Sequence, residues 1–251
     1  MNKKRYVLLD SLRGITLISM MLYHAVWDLV YIFGVDFKWY QSQGAYIWQQ
    51  SICWTFILLS GFCWSLSRHN LKRAFIVLGA SWVISIVTIL FMPSNRVLFG
   101  VLSAIGTGML VTIPFDKIFY KSNPYLGALV SFGLFLFTKN INDGWLGFGT
   151  WKALVLPKEW YDNLFTTYLG FPAADFWSTD YFSVFPWLFL YWTGYFLYHI
   201  CEKKELLKYL SAVRIKPLEW LGRHSLLVYM LHQPIIYGVL EVWHILNLIR
   251  L

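Results

Sequence analysis

Charged residues are scarce in this 251-residue chain, at 14%, whereas hydrophobic residues make up 58% and aromatic residues 20%. Because an average soluble domain has about 25% charged residues, this composition excludes an ordinary soluble protein and favours one that lies in a lipid bilayer. Cysteine is also rare: Cys53, Cys63 and Cys201 show neither a CxxC pair nor zinc-ligand spacing. The chain lacks a metal-ligand motif and a glycine-rich nucleotide loop. We therefore expect no metal.

Long apolar runs make up most of the chain. Since about 20 apolar residues cross the hydrocarbon core, seven candidate spans follow, near residues 11–33, 45–67, 73–92, 97–115, 124–138, 182–200 and 225–246. The sequence thus predicts an all-α fold, a polytopic transmembrane helix bundle that forms a single domain over residues 1–251. The first span follows a basic start without a small-residue cleavage site, so we expect a permanent anchor and not a cleaved signal.

The distribution of positive charge predicts the orientation of the bundle. The net charge is +8, and a cytoplasmic N-terminus places fifteen of the 21 Lys and Arg residues in cytoplasmic segments. The outer face then keeps Lys38, Arg96, Lys139, Lys152, Lys158 and Arg250. This asymmetry satisfies the positive-inside rule. The charge therefore reflects topology, and we expect no nucleic-acid partner.

The longest connection, residues 139–181, is predicted to be extracytoplasmic. Its stretch 158–171 is rich in aromatic residues and is interpreted as an amphipathic or re-entrant element at the membrane interface, with an eighth span as the alternative. Asp175 and Asp180 in this loop are candidate substrate ligands, because carboxylates accept strong hydrogen bonds from amines and hydroxyls. A solvated acidic loop is the competing interpretation.

Three polar residues share one face of the first predicted helix. Arg13 and His24 are eleven positions apart, which amounts to three turns and roughly 16 Å of rise, and Asp28 follows His24 by one turn. Ionisable groups at this depth are costly and imply function. A carboxylate beside a histidine can stabilise its imidazolium form, so His24 and Asp28 are the candidate catalytic residues.

Simpler interpretations of these residues stay open at this point. His24 could bond to a neighbouring helix while Asp28 reaches the outer interface. Arg13 could snorkel to the headgroups or pair with Asp10, three residues away.

Five segments of the chain, in order, resemble the catalytic domain of the heparan-α-glucosaminide N-acetyltransferase family, in its bacterial branch. They are "RYVLLDSLRGITLISMMLYHAVWDL", "LSGFCWSLSR", "FGVLSAIGTGMLV", "DYFSVFPW" and "LGRHSLLVYMLHQPIIY". A more distant similarity links the chain to polysaccharide O-acyltransferases. The resemblance implies an acyltransferase that carries an acyl group, usually acetyl, from cytoplasmic acyl-CoA to a sugar or glycan across the membrane. It also implies that His24 is the catalytic histidine.

The resemblance has two departures. Ser103 stands where many relatives have histidine or glutamine. The chain also lacks the large luminal extension of the heparan enzyme, so heparan itself is not the expected acceptor.

A site for acetyl-CoA, as polyanionic acyl donor, needs cations at the cytoplasmic rim. The residues at predicted helix ends on that side are Arg13, Arg68, Arg73, Arg223 and His224. Arginine suits phosphate through its planar donor fork. Each of these charges also has a simpler interpretation as a topology or lipid-headgroup charge.

His232 and Gln233, in "VYMLHQP", are candidate substrate-binding residues on the last helix. His232 lies nine residues beyond Arg223, roughly 13 Å along a helix, and Pro234 frees polar backbone nearby. The alternative is an interhelical hydrogen bond at a kink.

The leading hypothesis is therefore a transmembrane N- or O-acetyltransferase in the cytoplasmic membrane of a prokaryote. Its partners would be acyl-CoA, a sugar or glycan acceptor and the lipid bilayer. The alternative is a proton-coupled transporter or flippase that uses His24, Asp28 and His232 as a relay, although no matched pair of interrupted helices is present. A stripe of small residues at Gly100, Ala104 and Gly108 permits close helix packing and leaves room for a homodimer.

Overall fold

The computed structural model describes residues 6–211 and 215–248. Within them the helices and strands follow in the order α1 (Val7–Tyr31), α2 (Gln43–Phe62), α3 (Asn70–Phe91), α4 (Val101–Lys121), α5 (Pro124–Thr138), β1 (Trp145–Phe148), β2 (Trp151–Val155), α6 (Leu164–Leu169), α7 (Val184–Lys203), α8 (Lys216–Arg223) and α9 (Ser225–Leu248). Short 3-10 turns connect several of them. The predicted helical architecture is confirmed, with one small hairpin in addition.

Each of the seven predicted spans coincides with one of the long helices. Among the described residues, α1, α3, α4 and α9 are long and apolar enough to cross a bilayer, which indicates an integral membrane protein. The count of seven spans and the cytoplasmic N-terminus stay predictions. Five basic residues that entered the charge asymmetry, Lys3, Lys4, Arg5, Arg214 and Arg250, lie outside the described residues.

The chain divides into two compact units. Unit 1 comprises residues up to Phe56 and from Leu206 onward, and unit 2 comprises Ile57–Glu205. Unit 1 thus contains α1, the first part of α2, α8 and α9, and unit 2 contains the end of α2, the helices α3 to α7 and the hairpin.

In unit 1, two glycines allow α1 and α8 to touch along their backbones. A Cβ atom at Gly14 would overlap the carbonyl group of Leu218, and one at Gly222 would overlap the carbonyl group of Asp10. The backbones of α1 and α8 can lie this close because each glycine has no side chain, as in other close helix contacts in membranes. The contact holds the short helix α8 against the first turns of α1.

An apolar cluster packs α1 against α2 in unit 1. Leu17, Met20 and Ile52 are buried together. Beside them, the indole Nε1 of Trp48 donates a hydrogen bond to Ser19 Oγ at 2.8 Å. These contacts place one face of α1 inside the unit and leave Leu22, on the other side, exposed.

In unit 2, a second pair of glycines brings the end of α2 against α7. A Cβ at Gly61 would overlap the carbonyl group of Tyr191, and one at Gly194 would overlap that of Leu58. The indole of Trp192 donates to Thr112 Oγ1 of α4 at 3.1 Å. α7 is therefore the central helix of this unit.

The connection between α5 and α7 is ordered, and it contains no helix long enough to span a membrane. β1 and β2 pair antiparallel and are joined by a two-residue loop that begins at Gly149. The φ angle of Gly149 is 58°, a value that favours glycine in a tight hairpin. α6 has six residues, far fewer than a span needs. The stretch predicted to be interfacial or an eighth span is thus one 3-10 turn and this short helix.

Hydrogen bonds inside unit 2 hold this connection in place. The hydroxyl of Tyr181 donates to the carbonyl of Thr167 at 2.5 Å, and that of Tyr161 donates to the carbonyl of Ile141 at 2.6 Å. Burial raises the pKa of Tyr181, so its hydroxyl keeps the proton that this bond requires.

Replacement of Gly222 by alanine should destabilise the protein, because the added methyl group cannot fit between α8 and the backbone of Asp10. We expect a cost of about 1–3 kcal/mol, as in other overpacked cores, seen as a lower midpoint of thermal unfolding in detergent. Gly238→Ala on α9 is the matched control: its Cβ would meet open space, so alanine should stabilise the helix by about 0.5–1 kcal/mol. Equal midpoints for the two variants would contradict the close α1–α8 contact.

Candidate functional site

The rings of His24 and His232 meet inside unit 1, with their centroids 4.9 Å apart. α1 carries His24 and α9 carries His232, and we call them the histidine pair. His24 is half-buried and also meets the ring of Tyr23 edge-on, whereas His232 is only 8% exposed. The structure therefore brings together two residues that the sequence assigned to catalysis and substrate binding.

The protonation of His232 follows from its hydrogen bond within α9. Its Nδ1 faces the carbonyl oxygen of Tyr229, and because a carbonyl can only accept, Nδ1 carries the proton. In the neutral ring Nε2 is then an acceptor. Nε2 is buried and has no hydrogen-bond partner among the described residues.

One turn from His24, a second polar contact joins the same two helices. The side-chain amide of Gln233 donates to Asp28 Oδ1 at 2.6 Å, and Asp28 is fully buried. The described partner of Asp28 is thus Gln233, whereas the neighbour of His24 is His232. The role of Asp28 in orienting His24, predicted from their spacing on one helix, stays a prediction.

Three buried polar atoms of this site have no partner among the described residues: Asp28 Oδ2, His232 Nε2 and Gln233 Oε1. Buried polar groups are normally paired, and unpaired ones have a high free-energy cost, above all within a membrane. Free acceptors can bind an amine or a hydroxyl, and an imidazole can take the proton of such a group. The arrangement can therefore hold a hydrogen-bonding ligand beside His24.

Near the start of α1, the α1–α8 contact carries the predicted donor-binding cations of unit 1. Arg13 Nη1 pairs with Asp10 Oδ1 at 3.1 Å, and its side chain is 21% exposed. Arg223, at the end of α8, pairs with the buried Glu219. His224 Nδ1 bonds to the carbonyl oxygen of Trp220 at 2.8 Å. Each ring or guanidinium group is thus oriented by one local partner.

The other predicted ligands lie in unit 2. Arg68 and Arg73 are exposed, before and at the start of α3, and Asp175 is exposed in the connection after α6. Asp180 is half-buried, and its Oδ2 accepts from the backbone N–H of Val101 at 3.5 Å. Asp180 thereby stabilises the N-terminus of α4, where a negative charge is favourable. Their roles in donor and acceptor binding stay predictions.

Sequence reasoning missed a group of residues in unit 2. Ser65, His199 and Glu202 form a hydrogen-bonded chain at the edge of a cavity. The spacing of His199 and Glu202 indicates a shared helix face, but Ser65 is 134 positions away from His199. Only the packing of the end of α2 near α7 brings the serine to them.

The long apolar helices indicate an integral membrane protein, and two of them, α1 and α9, carry the histidine pair. Comparison with known families then gives the assignment: residues 5–234 match the family described as heparan-alpha-glucosaminide N-acetyltransferase, catalytic. The chain belongs to this family, which confirms the resemblance found in its sequence segments and indicates a membrane acetyltransferase. No curated protein and no solved structure matches the chain.

Replacement of Gln233 by leucine should destabilise unit 1, because the buried Asp28 would lose its described hydrogen bond. An unsatisfied buried polar group costs about 1–3 kcal/mol, which should lower the midpoint of thermal unfolding followed by tryptophan fluorescence in detergent. The double variant Asp28→Leu/Gln233→Leu should regain stability, since neither partner is then left unpaired. A double variant less stable than Gln233→Leu would show that the carboxylate has another essential partner.

Proposed function

We propose that this protein transfers an acetyl group from cytoplasmic acetyl-CoA to an amine or hydroxyl of an extracytoplasmic sugar or glycan, with His24 as the catalytic residue. The observation that carries this proposal is the histidine pair, at 4.9 Å between ring centroids, in a family of acetyltransferase catalytic domains. Buried histidine beside unpaired acceptors is what acyl transfer to a neutral nucleophile needs.

The donor end of the proposed path is the start of α1. Arg13 and Arg223 both flank the α1–α8 contact, and arginine binds phosphate groups well. The rise from Arg13 to His24 is roughly 16 Å on an α-helix, which is comparable with the length of a phosphopantetheine arm. Acetyl-CoA held by its phosphates at this end would thus present its thioester near His24.

The proposed reaction begins at the acceptor. His24 takes the proton of the acceptor amine or hydroxyl as that atom attacks the thioester carbonyl carbon. The carbon–sulfur bond then breaks, and the imidazolium returns the proton to the CoA sulfur. His232 Nε2 and the Asp28–Gln233 pair supply acceptors that orient the attacking group. No cofactor beyond the donor enters this scheme.

His24→Ala should abolish acetyl transfer, because the imidazole that takes the proton of the acceptor is then missing. The measurement is transfer of radiolabel from acetyl-CoA in membranes with endogenous acceptors, together with binding of acetyl-CoA to the purified chain. We expect a loss of transfer of about 100-fold or more with binding retained. His244→Ala, which alters a histidine near the other end of α9, should keep both. Full turnover in His24→Ala would contradict the assignment.

Arg13→Ala should weaken donor binding more than it slows transfer. Removing a charge-assisted hydrogen bond costs about 1.5–3 kcal/mol, so the apparent affinity for acetyl-CoA should fall by about tenfold or more, with transfer recovered at saturating donor. Binding of 3′-dephospho-CoA serves as comparison, since it tests for phosphate contacts. An unchanged affinity for acetyl-CoA would show that Arg13 serves only in its ion pair with Asp10. Failure to bind acetyl-CoA in the unaltered protein would favour the transporter alternative.

A further inference from the structure

A second polar site lies within unit 2. The cavity has a volume of about 280 Å³, a little below the usual range of small-molecule sites. Its lining includes Ser65, Asn70, Asp116, Tyr120, His199 and Glu202, which come from the segment after α2 and from the ends of α3, α4 and α7. This site contains none of the residues assigned to acetyl transfer.

Two hydrogen bonds connect a serine, a histidine and a glutamate along the edge of this cavity. Ser65 Oγ is 3.3 Å from His199 Nε2, and His199 Nδ1 is 3.2 Å from Glu202 Oε2. A carboxylate accepts from Nδ1–H, so Nε2 is left as the acceptor for the serine hydroxyl. This is the order of groups that activates a serine nucleophile, on whatever fold it occurs.

The neighbours of His199 hold the imidazole in this orientation. Tyr195 packs its ring 4.7 Å from that of His199, and Tyr120 meets the ring edge-on at 5.6 Å. The hydroxyl of Tyr198 donates to Glu202 Oε1 at 3.3 Å, so both oxygens of the carboxylate have partners. The His199 side chain is thus held at 14% exposure, whereas that of Glu202 is 50% exposed.

The cavity also offers a group for the developing oxyanion of acyl transfer. Asn70, at the start of α3, lines it with a side-chain amide, and amide N–H groups are common oxyanion donors. Its Oδ1 is buried without a partner among the described residues.

We propose that Ser65, His199 and Glu202 form a second catalytic site, which hydrolyses short-chain acyl esters or thioesters. Ser65 Oγ attacks the carbonyl carbon, and His199 Nε2 takes the hydroxyl proton and passes it to the leaving oxygen or sulfur as its bond to carbon breaks. Water then attacks the acyl-serine with His199 as base. The carboxylic acid leaves, and Ser65 regains its proton. A cavity of about 280 Å³ has room for a short acyl group together with part of its leaving group.

A fluorophosphonate probe tests this site directly, because it modifies serine only where a neighbouring base activates the hydroxyl. The detergent-purified full chain should gain one probe per molecule by intact mass, and Ser65→Ala should lose it. Ser67→Ala is the matched control: that hydroxyl accepts from the backbone N–H of His69, so labelling should persist. An unlabelled protein, or a label on any residue other than Ser65, would overturn the proposal.

Two further variants separate catalysis from folding. Glu202→Gln keeps the size of the side chain but not its charge, and should slow labelling by more than about tenfold, as loss of the acid does in other triads. Hydrolysis of p-nitrophenyl acetate should fall in parallel. Labelling at an unchanged rate in Glu202→Gln, or a labelled Ser65 without ester hydrolysis, would contradict the relay.

The same experiment keeps this proposal distinct from acetyl transfer at His24. His24→Ala should be labelled at Ser65 as fast as the unaltered protein, because the two sites share no residue. Loss of labelling in His24→Ala would show that Ser65 does not act as an independent centre. Success or failure of the acetyl-transfer assay leaves this result unaffected.

Discussion

The hydrogen bond between Gln233 and Asp28 is the contact on which the candidate site between α1 and α9 depends. A fully buried carboxyl group on an apolar helix requires a partner, because nothing in the hydrocarbon core can replace water. Gln233 satisfies one of its oxygens at 2.6 Å and thereby ties α1 to α9. His24 and His232 lie beside this bond on the same two helices, with their ring centroids 4.9 Å apart. The bond thus joins the two helices that carry the histidine pair.

Close backbone packing of α8 on α1 supports the bond between Gln233 and Asp28. Gly14 and Gly222 let α8 lie directly on α1, and α8 leads into α9 through a single residue, so the placement of α8 limits where α9 can begin. The bulky side chains of this unit then fill the space around Leu17 and Met20. In lipid, where the hydrophobic effect does not drive helices together, small residues and polar contacts contribute much of the association. Unit 1 uses both.

The two units carry different arrangements of the same chemical groups. In unit 1 the histidine pair is flanked by unpaired acceptors, which suits a ligand that brings its own hydrogen-bond donors. In unit 2 both nitrogens of His199 already have partners, Ser65 and Glu202, and this suits a nucleophile within the protein. Histidine serves both because its two nitrogens can donate and accept separately. Family membership accounts for an acetyltransferase but not for the relay in unit 2.

The helices can be predicted from the sequence alone, because long apolar runs and their polar ends are local properties. The predicted spans 73–92 and 124–138 differ from α3 and α5 by at most three residues. It also indicated that Arg13, His24 and Asp28 share a face, since helix periodicity relates residues on one element. The fold was needed to show that Gln233 bonds to Asp28 and that His232 meets His24, more than 200 positions away. The sequence likewise did not predict the hairpin after α5 or the contact between Ser65 and His199. Contacts between distant segments depend on the packing of whole helices, which no local pattern encodes.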